Sequence, residues 1–207
     1  DISWIDSEDI TEDNVAAQLA GCDGIIVPGG FGDRGIEGMI TTAKYCREHD
    51  IPYLGICLGM QIAVIEFARH VCGLADANSG EFSKTSAHKI IDFLPDQSET
   101  IDKGATLRLG AYPCHILPGT RMHECYGCDE IRERHRHRYE FNNDYREMLT
   151  DAGMTLCGQS PDGHIVEAVE LSDHRFFVGV QFHPEFKSRP NRAHPLFKAL
   201  VESSLKK

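Results

Sequence analysis

A cysteine at the junction of an apolar run and a helical pattern constrains this chain more than any other residue. Ile51-Pro52-Tyr53-Leu54 reads as a short buried strand and Leu58 to Val71 as a helix. Between them lies Gly55-Ile56-Cys57-Leu58-Gly59-Met60-Gln61. A strand-to-helix turn of the form G-x-C-x-G presents its central side chain on a sharp elbow, the placement of a nucleophile. Glycines on both sides let the turn tighten and let a substrate approach the backbone. A helix N-terminus also favours the thiolate, so a lowered Cys57 pKa is the expectation. The competing reading of the same residues is a core cysteine at the start of a helix.

The surrounding pattern sets the frame. Gly24-Ile25-Ile26-Val27 is a second apolar strand, running into Pro28-Gly29-Gly30-Phe31-Gly32. Short unbroken apolar strands followed by loops and helices predict a three-layer α/β/α fold with a mostly parallel central sheet. Further strands are expected at 1–5 (an edge), 89–93, 154–158, 164–170 and 176–180. Helices are expected at 36–49, 142–152 and 195–205, with a short one at 122–126. Two short strands, 106–111 and 114–117, suggest a small antiparallel extension after a polar turn at 94–103. The 207 residues suit one domain, 1–207, with a sizeable core.

Composition narrows the function classes. A formal net charge of −11 argues against general binding to nucleic acid or anionic membranes. No apolar run approaches a membrane span, and no signal peptide opens the chain. The eight cysteines lack a secreted disulfide spacing, so reduced thiols in a cytoplasmic protein are expected.

Four other stretches carry chemistry. Gly30-Phe31-Gly32-Asp33-Arg34-Gly35 matches G-x-G-x-x-G, but Asp33 would set a carboxylate beside a pyrophosphate. The other role of that loop is to offer backbone N–H groups to a developing anion near Cys57. Cys125-x-x-Cys128, near His123, Cys114 and His115, lacks the second pair and spacing of a zinc site, and no metal is expected. Arg132-Glu133-Arg134-His135-Arg136-His137-Arg138-Tyr139-Glu140 reads as a solvated face, an anion patch or a clamp for a substrate carboxylate. Finally, His183 and Glu185 flank Pro184 just past a strand end. In extended geometry they point the same way, as the base and orienting acid of a triad.

Taken together, Pro28-Gly29-Gly30-Phe31-Gly32, the Cys57 elbow and His183-Pro184-Glu185 resemble the class I (triad) glutamine amidotransferases. Gly35 to Ile40, Asn78 to Phe82, Arg108-Leu109-Gly110 and Glu133 to Glu140 are similar to a nucleotide-aminating member of that family. The resemblance implies a flavodoxin-like fold with Cys57 as nucleophile, His183 as base and Glu185 as its orienting acid. It implies an oxyanion hole at the N–H groups of Gly30 and Leu58, and L-glutamine held by Gly29, Phe31, Gln61, Glu81 and Arg138. It implies a glutaminase domain lacking its first strand and helix, and a separate synthase domain that aminates UTP. That partner would use ATP and magnesium, respond to GTP as an allosteric activator and form a homotetramer. No cofactor is expected in the present chain. The alternative is a catalytically quiet regulatory or binding domain on the same fold.

Overall fold

The computed structural model describes residues 1–93 and 107–205. The polar turn expected at 94–103 therefore lies wholly outside the described residues.

The first residues do not form the expected edge strand. Ile2 and Trp4, which would share one face of it, are 81% and 92% exposed because no apolar layer covers them. After α1 (Val15–Gln18), the strand β1 (Ile25–Val27) leads through the glycine loop into α2 (Ile36–Glu48). Then β2 (Tyr53–Ile56) runs straight into α3 (Leu58–His70), with Cys57 as the single joint between them. The middle of the chain contributes β3 (Asn78–Ser79), β4 (Lys89–Asp92), β5 (Arg108–Ile116), α4 (Arg121–Tyr126) and β6 (Glu130–His137). The rest is β7 (Glu140–Phe141), α5 (Arg146–Asp151), β8 (Met154–Gln159), β9 (Val166–Leu171), β10 (Phe177–Val180) and α6 (Pro195–Leu205).

The main sheet has the order β1-β2-β10-β9-β8-β5-β6, and β3-β4-β7 form a small second sheet. In the main sheet only β1, β2 and β10 are mutually parallel among the described residues. From β10 outward every pairing is antiparallel. The three-layer α/β arrangement is thus present, but the sheet is mixed rather than mostly parallel, and its antiparallel part is no small extension. The cause is connection length. β8 reaches β9 through residues 160–165 and β9 reaches β10 through 172–176, loops too short for a parallel crossover. The two strands expected at 106–111 and 114–117 are one continuous β5, two strands merged across Tyr112-Pro113.

Two apolar layers enclose the sheet. On one side α1, α2, α3 and α5 pack through Val15, Ile40, Ala43, Ile62, Ile65 and Leu149. On the other α4 and α6 cover Leu54, Ile56, Val178 and Val180 with Met122, Leu196 and Leu200. α3 is buried almost all round, and its sequence is apolar but for Gln61, Glu66 and the closing Arg69-His70. It lies close against β1 and β2, since a Cβ on Gly59 would strike the Val27 carbonyl. Tyr53 Oη donates to the Gly59 carbonyl at 2.8 Å and ties the strand to the first turn of the helix. Between α2 and α3, Arg47 clasps the fully buried Glu66 carboxylate with Nε and Nη2 at 2.8–3.2 Å.

β6 departs most from expectation. The run read as a polar face or clamp is a strand whose residues alternate between solvent and interior. Arg132, Arg134 and Arg136 face out, while Glu133, His135 and His137 are buried. Its free edge returns to the segment after β10, where the His183 N–H donates to the Arg134 carbonyl at 2.8 Å.

Candidate active site

The elbow holds Cys57 at φ 53°, ψ −101°, a left-handed conformation costly for any residue with a Cβ. It is held there on both sides. The Cys57 N–H donates to the Val180 carbonyl at 2.7 Å, and its own carbonyl accepts from Met60 and Gln61 at 3.1 and 3.2 Å. Contrary to expectation, the thiol pKa is raised, to about 12. Burial dominates, for Cys57 is 2% exposed. The Leu58 N–H and the Gln181 amide act in the opposite direction, while the negative charge of Glu185 adds to the rise. The helix start is present but is outweighed by desolvation, so the resting group is a thiol that must hand its proton to a base.

That base stands beside it. His183 Nδ1 and Glu185 Oε1 are 2.6 Å apart. The contact does not come from extended backbone. Pro184–Phe186 is one 3-10 turn, and the turn folds Glu185 back onto the ring. Phe186 stacks on His183 with centroids 5.0 Å apart. The Glu185 carboxyl is raised by partial burial, but its bond to His183, a backbone N–H and the charges of His183 and His194 together hold it below the usual carboxylate range. His183 Nε2 is buried with no hydrogen-bond partner among the described residues, which leaves it open to an incoming proton. Gly29 marks where the two side chains converge. A Cβ there would lie 2.8 Å from His183 Cε1 and 3.5 Å from Cys57 Cβ.

A cleft of about 210 Å³ opens beside Cys57 and is lined by Gly30, Phe31, Gln61, Glu81 and Arg138 as well as Cys57. Gly30 adjoins the Leu58 side chain, since a Cβ there would lie 3.0 Å from Leu58 Cδ2, and Leu58 is the first residue of α3. Glu81 accepts from the Gly32 N–H at 3.2 Å. Its carboxyl is raised by burial, against the pull of that N–H and of Arg138. Arg138 is half-buried, and its Nε has no hydrogen-bond partner among the described residues. A carboxylate and a guanidinium in one cleft match the two charges of a free amino acid. Phe31 is 62% exposed at the rim, with the Arg136 guanidinium 5.6 Å from its ring centre.

Two features were not read from the sequence. Gln181, fully buried, donates from Nε2 to Cys57 Sγ at 3.6 Å. Its signal was a lone amide at the buried end of an apolar strand, where it must find partners. The second is a layer of ionisable groups behind the cleft. Arg108 meets Glu167 at 2.8 Å and Glu140 at 3.7 Å, and His135 Nδ1 lies 2.9 Å from His137 Nε2. Burial, then the neighbouring charges, lowers His135 to about 2 and His137 to about 3, so both are neutral. Among the described residues, no group of three or more His, Cys, Asp or Glu is arranged to hold a metal ion. All eight cysteines are free. No described helix is long and apolar enough to cross a membrane.

Comparison with known proteins agrees with this geometry. The family model "Glutamine amidotransferase class-I" matches residues 1–203. The CTP synthase of Carboxydothermus hydrogenoformans is 60% identical over 205 residues, and that of Moorella thermoacetica 59% over 207. These cover 99% and 100% of this chain, which spans only 38% of either relative. Among solved structures, the Trypanosoma brucei CTPS glutaminase domain with bound acivicin superposes with a TM-score of 0.94 at 41% identity, over 100% of this chain and 81% of that one. A putative GMP synthase component from Thermoplasma acidophilum shares the fold alone, at TM-score 0.58 and 20% identity, over 93% of this chain and 78% of that one. This chain belongs to the class I glutamine amidotransferases and is homologous to the glutaminase domains of CTP synthases.

Proposed function

We propose that the chain hydrolyses L-glutamine to glutamate and ammonia, and that the ammonia serves a CTP synthase partner domain. One observation carries the reading: a strained cysteine and a carboxylate-oriented histidine meet over Gly29, and the cysteine lines a cleft that also holds Glu81 and Arg138. The cleft receives glutamine with its carboxylate on Arg138 and its ammonium on Glu81. The Cys57 proton passes to His183 Nε2 as sulfur attacks the side-chain amide carbon. The resulting oxyanion takes hydrogen bonds from the Gly30 and Leu58 N–H groups. Collapse breaks the C–N bond, and His183 returns the proton to the departing ammonia. Water then enters, gives a proton to His183 and cleaves the thioester to glutamate, restoring the thiol. Glu185 keeps the ring in the required tautomer throughout.

Cys57 is buried and protonated at rest, so this reading includes slow turnover by the chain alone. ATP, magnesium and UTP belong to the partner domain, since no G-x-x-x-x-G-K-[ST] loop occurs here. GTP activation and assembly into a homotetramer likewise belong to the full-length, cytoplasmic enzyme. The exposed arginines of β6, next to Phe31, form the face turned to that partner or its nucleotide. The test is glutamate release from glutamine, with the chain alone and with a synthase domain, UTP, ATP and GTP added. Activity is expected to rise on addition and to vanish in Cys57→Ala. No release from the wild-type chain under either condition would favour the quiet-domain alternative.

A further inference from the structure

Gln181 and Gln61 form a polar chain whose direction is fixed by the backbone. Gln61 Nε2 lies 3.2 Å from the Tyr139 carbonyl oxygen and 3.2 Å from Gln181 Oε1. A carbonyl only accepts, so the Gln61 atom facing it must be the amide nitrogen. That nitrogen also faces Gln181, which must therefore present its oxygen. The Gln181 nitrogen is then turned to Cys57 Sγ, at 3.6 Å. Flipping either amide would set acceptor against acceptor or donor against donor. Gln181 is 0% exposed and Gln61 3%, so water does not reorder the chain. The Gln181 N–H is anchored too, donating to the Glu167 carbonyl at 2.8 Å.

We propose that Gln181 is a positioning residue for the nucleophile: its amide, oriented by Gln61 and the Tyr139 carbonyl, donates to Cys57 Sγ and stabilises the thiolate as it forms. The inference rests on reading Cys57 as the nucleophile. It assigns to a neutral side chain a second offset to desolvation, beside that of the Leu58 N–H at the helix start. A donor to sulfur strengthens as charge develops, because hydrogen bonds to ions exceed those to neutral groups. Both hydrogens of the Gln61 amide are thereby committed, and its oxygen alone remains for a ligand in the cleft. Gln61 thus joins the substrate pocket to the sulfur through one shared amide.

The test reads the sulfur and needs no glutamine, so it fails independently of the proposed hydrolysis. Alkylation of Cys57 by iodoacetamide is followed across pH, with the labelled site identified by mass spectrometry. Gln181→Met keeps the length and removes the donor. Its rate profile is expected to move up by about one pH unit. Because a more basic thiolate is also more nucleophilic, the rate near neutral pH is expected to drop about three- to tenfold. Gln181→Glu replaces the donor by an acceptor and is expected to be slower still. In the unaltered chain, the Gln181 side-chain amide proton is expected to shift downfield as Cys57 ionises, a measurement independent of whether either variant folds. A wild-type alkylation profile in a folded variant, or an amide signal indifferent to Cys57 ionisation, would overturn the proposal.

Discussion

Single residues set the chemistry here through what they leave out as much as through what they add. Gly29 supplies no side chain, and the His183 ring occupies the space. That ring is hydrogen-bonded to Glu185 at 2.6 Å and stacked on Phe186, two contacts that set its position. A methyl group at 29 would meet Cε1 at 2.8 Å and push the imidazole away from the sulfur. Gly29→Ala is therefore expected to keep its thermal melting temperature nearly unchanged and to lose about 10²-fold or more in glutamate release, since displacements near 1 Å have that effect. A variant that melts normally and turns over at the wild-type rate would mean the ring has room to move. The Cys57 pKa shows the limit of reading such a site from sequence. The elbow and helix start were legible in Gly55 to Gly59. The burial that outweighs them comes from residues distant in the chain, among them Val180 and Phe182 in the same apolar layer, and no local pattern announces it.

At the level of elements, α2 and α3 are joined by apolar contacts around a buried ion pair, with Arg69–Glu37 a second pair at 2.7 Å. The Glu66 carboxylate is fully buried, and Arg47 supplies three short contacts to it. Arg47→Leu leaves that charge without its main partner and is expected to cost about 3–5 kcal/mol, read as a lower urea midpoint. Adding Glu66→Leu to the same chain should recover much of the loss, because the strain lies in the unpaired charge. The elements themselves were unequally legible. β2, β10, α3 and α6 announce themselves by apolar runs ended by glycine, proline or polar residues. β6 did not, because both of its faces are polar. Its inner face buries Glu133, His135 and His137: the two rings hydrogen-bond each other, and Glu133 meets Tyr126, Lys187 and His194. A periodicity rule that looks for hydrophobic alternation passes over such a strand. Strand direction was misjudged for a different reason: the loop lengths that force antiparallel neighbours emerge only once the strand ends are known.

For the whole molecule, the buried ionisable layer makes stability depend on acidity in a particular way. His135 and His137 are held near 2 and 3, below their ordinary 6.5, and His174 is lowered as well by burial. Between 6.5 and about 3 the unfolded chain therefore binds protons that the folded chain refuses, and this favours unfolding as pH falls. Glu81, Glu140 and Glu167 are raised above 4.5 by burial and act oppositely, keeping protons that the unfolded chain gives up. That offset ends at 4.5, below which the unfolded carboxylates are protonated too. Above 4.5 the two effects oppose each other, so the loss of stability there is expected to be the shallower. Below that, stability should fall steeply, by about 1.4 kcal/mol per pH unit for each neutral histidine, with Glu185 adding to the fall as its carboxylate is protonated. Urea midpoints across this range check it, and the lack of a steeper fall below pH 4.5 would mean that the buried histidines carry charge. The outward face of β6 has a consequence on the same scale. A body of net charge −11 carries Arg132, Arg134 and Arg136 along one edge, beside the mouth of the cleft. Such a molecule is an electric dipole. A negatively charged molecule diffusing nearby is repelled by most of the surface and drawn to that edge, so it arrives already oriented toward the site. Association with it quickens as ionic strength falls, before any contact has formed.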